Sequence, residues 1–282
     1  MLLRLFQVLS LLPLPILHGL GALAGWVVYA LSPSYRRRLR ENLAHAGYPH
    51  LLLSAIAEAG KSVFELPFIW CANPARVLKS AVLHDWSTAQ SALDASQGMI
   101  ILTPHLGCFE IVAQVIANRA PFTALYRPPR RASLKPLFEQ ARAREGLSLA
   151  PTNLSGVRKL LKTLRTGGAI GLLPDQVPSA GDGIWTTFFG RPAYTMTLPA
   201  KLHQMSNAQI VLAYAERLSF GRGFAVHFVR FDERLAGTPE QQAHIINAAM
   251  EQLIARCPSQ YFWSYNRYKG EPLSSSLAGE AA

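Results

Sequence analysis

The sequence predicts an α/β protein in which a central, mostly parallel sheet is flanked by helices and preceded by an N-terminal membrane-anchor helix. From about residue 80 onward, short apolar runs alternate with amphipathic segments, which is typical of strands and helices that alternate along a chain. Residues 5–35 contain no Asp, Glu, Lys or Arg, and this uncharged stretch exceeds the roughly 20 residues that a bilayer-crossing helix needs.

The predicted strands are short, apolar and bounded by glycine, proline or charged residues. They are residues 99–102, 123–126, 147–150, 169–173, 210–216 and 224–231, of which the last two are expected to pair. The predicted helices are 33–46, 51–70, 111–119, 134–145, 157–164, 199–205 and 239–255. Ligands of such sheets bind at the carboxyl ends of the strands, where this order places His105, Arg127 and Asp175.

The N-terminal apolar stretch ends in a basic cluster, Arg36-Arg37-Arg38-Leu39-Arg40, which outweighs the single Arg4 on its other side. The positive-inside rule therefore predicts a single anchor whose following domain faces the cytoplasm. We divide the chain into an anchor at 1–32, an α/β domain at 33–270 and a flexible tail at 271–282.

The N-terminal stretch admits three other interpretations. A cleaved signal peptide is disfavoured, because its apolar core would cover only about 7–15 residues. A buried core helix of a soluble domain does not explain the basic flank, which suits an anionic leaflet. Pro13, Pro15 and His18 leave open whether the helix spans the bilayer or lies kinked in its interface.

Composition narrows the class of partner. The formal net charge is +11, and 50% of the residues are hydrophobic while only 16% are charged. Such a chain favours acidic or lipid partners, and it shows no zinc-finger spacing or RNA-binding signature that would indicate nucleic acid. The three cysteines are odd in number and widely spaced, which indicates neither a disulfide framework nor a metal site. A reducing, cytosol-facing environment fits them best.

The candidate catalytic pair is His105 and Glu110, within residues 103–110 (Thr-Pro-His-Leu-Gly-Cys-Phe-Glu). Residues five apart do not share one face of a helix, so the two side chains meet only if His105 lies on the loop before it. Gly107 supports a turn there, and the carboxylate could then orient the imidazole as a general base. One alternative is that His105 is an ordinary strand-end histidine and Glu110 a solvated glutamate. Another is that Cys108 is a nucleophile, but Cys108 is better interpreted as a small core residue.

Several short motifs occur in a recognisable order: the basic helix with Glu41-Asn42-Leu43, then residues 103–110, 125–128, 171–176, 188–190 and 261–269. This order resembles the lysophospholipid-acyltransferase superfamily and, within it, the lipid A biosynthesis (lauroyl/myristoyl) acyltransferases, over about residues 5–269. Glu110 in place of the aspartate of the glycerolipid branch, and Pro174-Asp175-Gln176 in place of Pro-Glu-Gly, favour the lipid A branch.

The resemblance implies a reaction. The donor would be a fatty acyl chain on acyl carrier protein, and the acceptor a hydroxyl of a lipid A precursor at the cell inner membrane. His105 would deprotonate that hydroxyl and Glu110 would orient His105, with no metal or redox cofactor.

Six further residues are predicted to bind the substrate through charge or hydrogen bonds: Arg127, Arg130, Asp175, Gln176, Arg191 and Arg267. Each has an ordinary alternative, such as a solvated basic loop, a turn or packing of the last helix. The acyl chain length, the acceptor position and the use of acyl-CoA stay open.

Other functions also stay open. The acceptor could be another membrane lipid, such as a glycerolipid, a phosphatidylinositol mannoside or an aminolipid. A non-catalytic lipid-binding protein would need neither His105 nor Glu110. A soluble hydrolase is disfavoured, because the sequence contains no Gly-x-Ser-x-Gly motif.

Overall fold

The structure is a computed structural model of the chain, and it describes residues 2–129, 138 and 144–270. Arg130, most of the helix predicted at 134–145 and the tail predicted at 271–282 lie outside the described residues.

Nine strands are described, of which seven form the central sheet. They are β1 (Ala81–His84), β2 (Met99–Leu102), β3 (Phe122–Tyr126), β4 (Leu147–Pro151), β5 (Ala169–Leu172), β6 (Gly183–Phe188), β7 (Arg191–Met196), β8 (Gln209–Arg217) and β9 (Phe224–Arg230). The order in the sheet is β1-β9-β8-β2-β5-β3-β4, while β6 and β7 form a separate hairpin. All neighbours in the large sheet are parallel except β8 and β9. The predicted α/β class, with a mostly parallel sheet flanked by helices, is confirmed.

Helices cover both faces of the sheet. They are α1 (Leu2–Leu9), α2 (Leu14–Leu31), α3 (Pro33–His45), α4 (Leu52–Phe64), α5 (Leu66–Cys71), α6 (Pro74–Lys79), α7 (Trp86–Asp94), α8 (Phe109–Ala117), α9 (Leu154–Arg165), α10 (Leu198–Ser206) and α11 (Pro239–Ile254). Successive side chains of a strand point to opposite faces, so Met99 and Ile101 join one core while Ile100 and Leu102 join the other. The first core includes residues of α2, α5, α7 and α8, and the second includes residues of α3, α4, α9, α10 and α11.

Some elements differ from the sequence prediction. β1 and the β6–β7 hairpin were not predicted, since β1 has only four residues and the hairpin falls in a segment that reads as a Gly- and Ser-rich loop. The helix predicted at 51–70 is two helices, because Pro67 lies in the first turn of α5 and lacks the N–H that a continuous helix requires. The predicted pairing of residues 210–216 with 224–231 is confirmed as β8 and β9.

α2 is long and apolar enough to cross a membrane, and it is the one such helix in the described part of the chain. It is therefore a candidate anchor, by length and composition. Pro13 separates it from α1 and is the residue that precedes its first turn.

A buried ionic cluster joins α2 and α4 to the end of β8. The Arg217 guanidinium donates to Glu58 Oε2 and to both carboxylate oxygens of Glu65, each at 2.6 Å. His18 Nε2 lies 3.2 Å from Glu65 Oε2. Burial alone would raise the pKa of Glu65, but the charge and hydrogen bonds of Arg217 outweigh it and hold that pKa below its ordinary value.

Candidate active site

His105 lies on the loop between β2 and α8, at the carboxyl end of the parallel strands. Gly107 fixes this loop: its φ is +57°, and a Cβ atom there would come within 1.9 Å of the Ala215 carbonyl oxygen. Gly107 N donates to Gln260 O at 3.1 Å, and Cys108 N donates to Ala215 O at 2.8 Å. The loop is thus bound to β8 and to the segment after α11, and glycine is the residue that fits its turn.

The side chain of His105 is paired with Asp175. Nδ1 of His105 lies 2.8 Å from Asp175 Oδ1, and the backbone N–H of His105 donates to Asp175 Oδ2 at 2.9 Å. An ionised carboxylate accepts hydrogen bonds only, so Nδ1 carries a proton, and in the neutral form of the ring the lone pair is on Nε2. His105 is therefore held in the tautomer that a general base needs.

Asp175 is almost fully buried behind the histidine, with 1% of its side chain exposed. Burial alone would raise its pKa, but the charge of His105 and the hydrogen bonds from its ring and backbone outweigh burial and hold the pKa below its ordinary value. Tyr261 lies close by, and its own pKa is raised well above the ordinary value by burial and by the negative charge of Asp175. Asp175 is therefore a carboxylate at neutral pH.

Glu110 lies in the first turn of α8 and lines the same cavity as His105. Its Oε2 accepts a hydrogen bond of 3.0 Å from the Trp70 indole N–H. The carboxylate on Nδ1 of His105 belongs to Asp175, so the structure places another residue where the sequence led us to expect Glu110. A role of Glu110 in catalysis stays a prediction.

A cavity of about 730 Å³ opens in front of His105. Its apolar lining includes Phe109, Leu125, Leu154, Val157, Leu173, Val177, Met196 and Leu198. Its polar and charged lining includes His105, Glu110, Arg127, Gln176, Asp182 and Lys201. An apolar pocket with a few convergent polar groups is the usual form of a small-molecule or lipid site.

The predicted substrate-binding residues fall into two groups. Arg127 and Gln176 line the cavity, and Arg127 Nη2 donates to Ser179 Oγ at 3.5 Å. Arg191 instead stacks over the Tyr268 ring, at 4.2 Å from its centroid.

Arg267 is 3% exposed and lies in the core. It donates from Nη1 to Tyr194 O and from Nη2 to Thr195 Oγ1, each at 2.7 Å. The structure thus places Arg267 among residues that support the hairpin, and places Asp175 behind the histidine rather than on the cavity wall.

Cys108 is 2% exposed, and burial raises the pKa of its thiol well above the ordinary value, with the charge of Glu65 adding to the effect. A neutral, buried thiol is a poor nucleophile, which supports the interpretation of Cys108 as a core residue. Within the described ranges, no group of three His, Cys, Asp or Glu side chains is arranged to hold a metal ion.

Sequence reasoning missed two contributors to the cavity. Lys201 projects from α10, and residues 152–154 enter from the start of α9. The amphipathic pattern of α9 was visible in the sequence, but its position beside His105 follows only from the sheet order, which places β4 beyond β3 and β5.

The fold and the site define an α/β protein that holds an oriented imidazole against a largely apolar cavity. Residues 2–270 match the model of the family described as bacterial lipid A biosynthesis acyltransferase. The chain belongs to this family, and it is an acyltransferase.

Named relatives agree with this assignment. The chain is 23% identical to the lipid A biosynthesis palmitoleoyltransferase of Escherichia coli strain K12, over 94% of this chain and 89% of that protein. It is 24% identical to a lipid A biosynthesis acyltransferase of Haemophilus influenzae, over 93% and 86% of the two chains. It is 20% identical to the lipid A biosynthesis lauroyltransferase of Escherichia coli strain K12, over 93% and 88%.

Proposed function

We propose that the protein transfers a fatty acyl chain from acyl carrier protein to a hydroxyl of a lipid A precursor, at the cytoplasmic face of the inner membrane. The observation that carries this proposal is the pairing of His105 Nδ1 with Asp175, which leaves Nε2 as the basic nitrogen of a cavity-lining side chain. Family membership and the printed names of the relatives supply the substrate class.

In the proposed reaction, His105 Nε2 removes the proton of the acceptor hydroxyl as its oxygen attacks the thioester carbonyl. A new carbon–oxygen bond forms, and the carbon–sulfur bond breaks when the tetrahedral intermediate collapses. The imidazolium then returns its proton to the departing thiolate. Asp175 stabilises the imidazolium through Nδ1, while Glu110 places a carboxyl group at the cavity wall.

The acceptor is proposed to be held through its charged groups as well as its chains. Arg127 and Lys201 line the cavity, and guanidinium and ammonium groups are the usual ligands of phosphate. Gln176 offers an amide donor in the same cavity. Arg130, three residues after Arg127, is also predicted to bind the substrate, and it lies outside the described residues.

The donor is proposed to dock along α9. Asn153, Leu154 and Val157, at the start of this helix, border the cavity, and Leu154 is 78% exposed. The outer face of α9 carries Arg158, Lys159, Lys162 and Arg165, all exposed, and the helix contains no Asp or Glu. A cationic face beside the cavity mouth fits a carrier protein with an acidic surface.

Reversing two of these charges tests the docking proposal. We expect Arg158→Glu/Lys162→Glu to raise the KM for acyl carrier protein by about tenfold or more, because two attractive contacts become repulsive. The kcat, and transfer from a short acyl-pantetheine donor, should stay at the wild-type values. The matched control is Lys79→Glu/Arg234→Glu, which changes the net charge equally at exposed sites elsewhere. Equal KM values for the two double variants would contradict docking on α9.

The acceptor class is tested by mass spectrometry of lipid A from cells with and without the protein. We expect the loss of one fatty acyl group from lipid A in its absence, and the mass difference gives the chain length. Unchanged lipid A together with an altered glycerolipid, phosphatidylinositol mannoside or aminolipid would overturn the proposed acceptor and leave the reaction class intact.

A further inference from the structure

We propose that the protein enters only one leaflet of the bilayer: the outer face of α2 lies in the lipid, and the helix does not cross the membrane. This inference rests on the proposed membrane location and specifies its geometry. It is argued from how α1 and α2 are attached to the α/β domain.

The inner face of α2 is in backbone contact with α4. A Cβ atom on Gly25 would lie 2.2 Å from the Ile56 carbonyl oxygen, and one on Gly60 would lie 1.9 Å from the Gly21 carbonyl oxygen. Only glycines allow two helices to approach this closely. α2 is therefore part of a packed helix pair and not a helix that stands free of the domain.

The N-terminal end of α2 is attached to the same body. Arg76 of α6 donates to Ser10 O and Leu12 O, each at 2.9 Å, and so holds the turn between α1 and α2. α1 lies against α5, where the Phe6 ring stacks on Trp70 at 5.9 Å between centroids. The indole of Trp70 in turn donates to Glu110 at the cavity.

The C-terminal end of α2 is attached as well. Tyr29 packs against the core that contains Leu39 and Leu43 of α3. Because both ends of α2 contact one domain, they must lie on the same side of the membrane as that domain. A spanning helix would place α1 on the opposite side, away from Trp70.

Pulling α2 into a spanning position would also disrupt the ionic cluster. His18 of α2 contacts Glu65, whose carboxylate also accepts hydrogen bonds from Arg217. If α4 moved with α2, these charges would enter the hydrocarbon. If α2 moved alone, the cluster would lose its contact with His18. Both changes cost free energy, because they leave buried charges without water or without a partner.

The outer face of α2 fits a lipid surface. Its exposed apolar side chains include Ile16, Leu20, Leu23, Trp26, Val27 and Leu31. Arg37 and Arg40 are exposed directly after it on α3, where they suit anionic head groups. Because α4 already covers the inner face of α2, only the outer apolar face is available to lipid, and a helix held in this way lies in the plane of the interface, about 5–10 Å deep.

Phe220 extends this surface. It is 89% exposed and adopts φ +59°, a conformation that is unfavourable for a residue with a side chain. The neighbouring Gly221 packs against Pro15, at the start of α2. A strained backbone that holds an aromatic ring in the open beside α2 is consistent with a second contact to the lipid.

The topology is tested on the full chain, with a protease-cleavable epitope tag added before residue 1. In the proposed geometry, we expect external protease to remove the tag in inverted inner-membrane vesicles and to leave it intact in spheroplasts. A tag placed after residue 282 should behave in the same way in both preparations. Removal of the N-terminal tag in spheroplasts would show that α2 crosses the bilayer and would overturn the inference. Protein that does not sediment with membranes would contradict the membrane location itself.

The lipid contact is tested by flotation with vesicles of phosphatidylethanolamine and phosphatidylglycerol, using protein synthesised in their presence. We expect Leu23→Glu/Val27→Glu to lower the bound fraction by about tenfold, because two carboxylates replace two apolar side chains on one turn of the outer face. Val82→Glu/Met205→Glu alters two exposed apolar residues elsewhere and should float like the wild type. Undiminished flotation of the α2 variant would exclude this face as the lipid contact.

Discussion

Replacing His105 with alanine is expected to lower acyl transfer by at least about a thousandfold while leaving the fold and membrane association intact. In the proposed reaction the imidazole supplies the basic nitrogen that faces the acceptor, and its loop is held by backbone hydrogen bonds that alanine retains. The measurement is transfer of a radiolabelled acyl chain, with circular dichroism and membrane sedimentation as controls for folding and location. Transfer at the wild-type rate would exclude His105 as the base of the reaction.

The same assay separates the two carboxylates. We expect Asp175→Asn to lower kcat by about 10²–10⁴ with little change in KM, because a neutral amide no longer fixes the ring proton on Nδ1. Glu110→Gln is expected to have the smaller effect, since Glu110 is not the partner of Nδ1. A larger loss of kcat in Glu110→Gln would return the orienting role to Glu110.

The largest expected effect on stability comes from Arg217→Met. Its guanidinium is the shared partner of Glu58 and Glu65, so its removal leaves buried carboxylates without their cation. We expect a loss of about 3–5 kcal/mol, seen as a thermal midpoint lowered by about 10 °C. Adding Glu65→Met to this variant should restore part of the stability, because it removes a buried, unpaired charge. An unchanged midpoint in Arg217→Met would contradict this account.

The same cluster gives a pH dependence with a definite sign. The pKa of Glu65 in the folded protein lies below its ordinary value of 4.5, so its contribution to stability is complete above that value. The contribution is lost as the pH falls through the lowered pKa, and the acid limb of the wild-type stability curve should be shallower in Glu65→Gln.

Local patterns were sufficient to predict most of the fold. The apolar runs at 99–102 and 169–173 correspond to β2 and β5, whose side chains are all buried. By contrast, β1 alternates between partly buried and exposed residues over only four positions, which is too short a pattern to recognise. The order of strands in the sheet depends on long-range pairing, which no local pattern contains.

The site was predicted only in part, because some of its contacts are local and others depend on long-range pairing. The position of His105 after a buried strand is a local property, and it could be inferred. Its partner Asp175 lies 70 residues further along the chain and reaches it because β5 is the neighbour of β2. Arg267 is buried because it contacts the β6–β7 hairpin, which was not predicted. From its charge alone, a role at the surface was expected.

Almost every side chain of α2 is apolar, so the sequence shows no periodicity that separates its packed face from its exposed face. The glycine contacts of α2 with α4 determine how a soluble form of the protein should be engineered. A chain that begins at residue 33 would lack one half of the helix pair and would expose the groove at Gly60. Polar substitutions on the outer face of α2 are expected to keep the pair and to lower its affinity for detergent. For crystallisation and for assays in water, redesign of this surface is therefore preferable to truncation, which would expose a new apolar surface on α4.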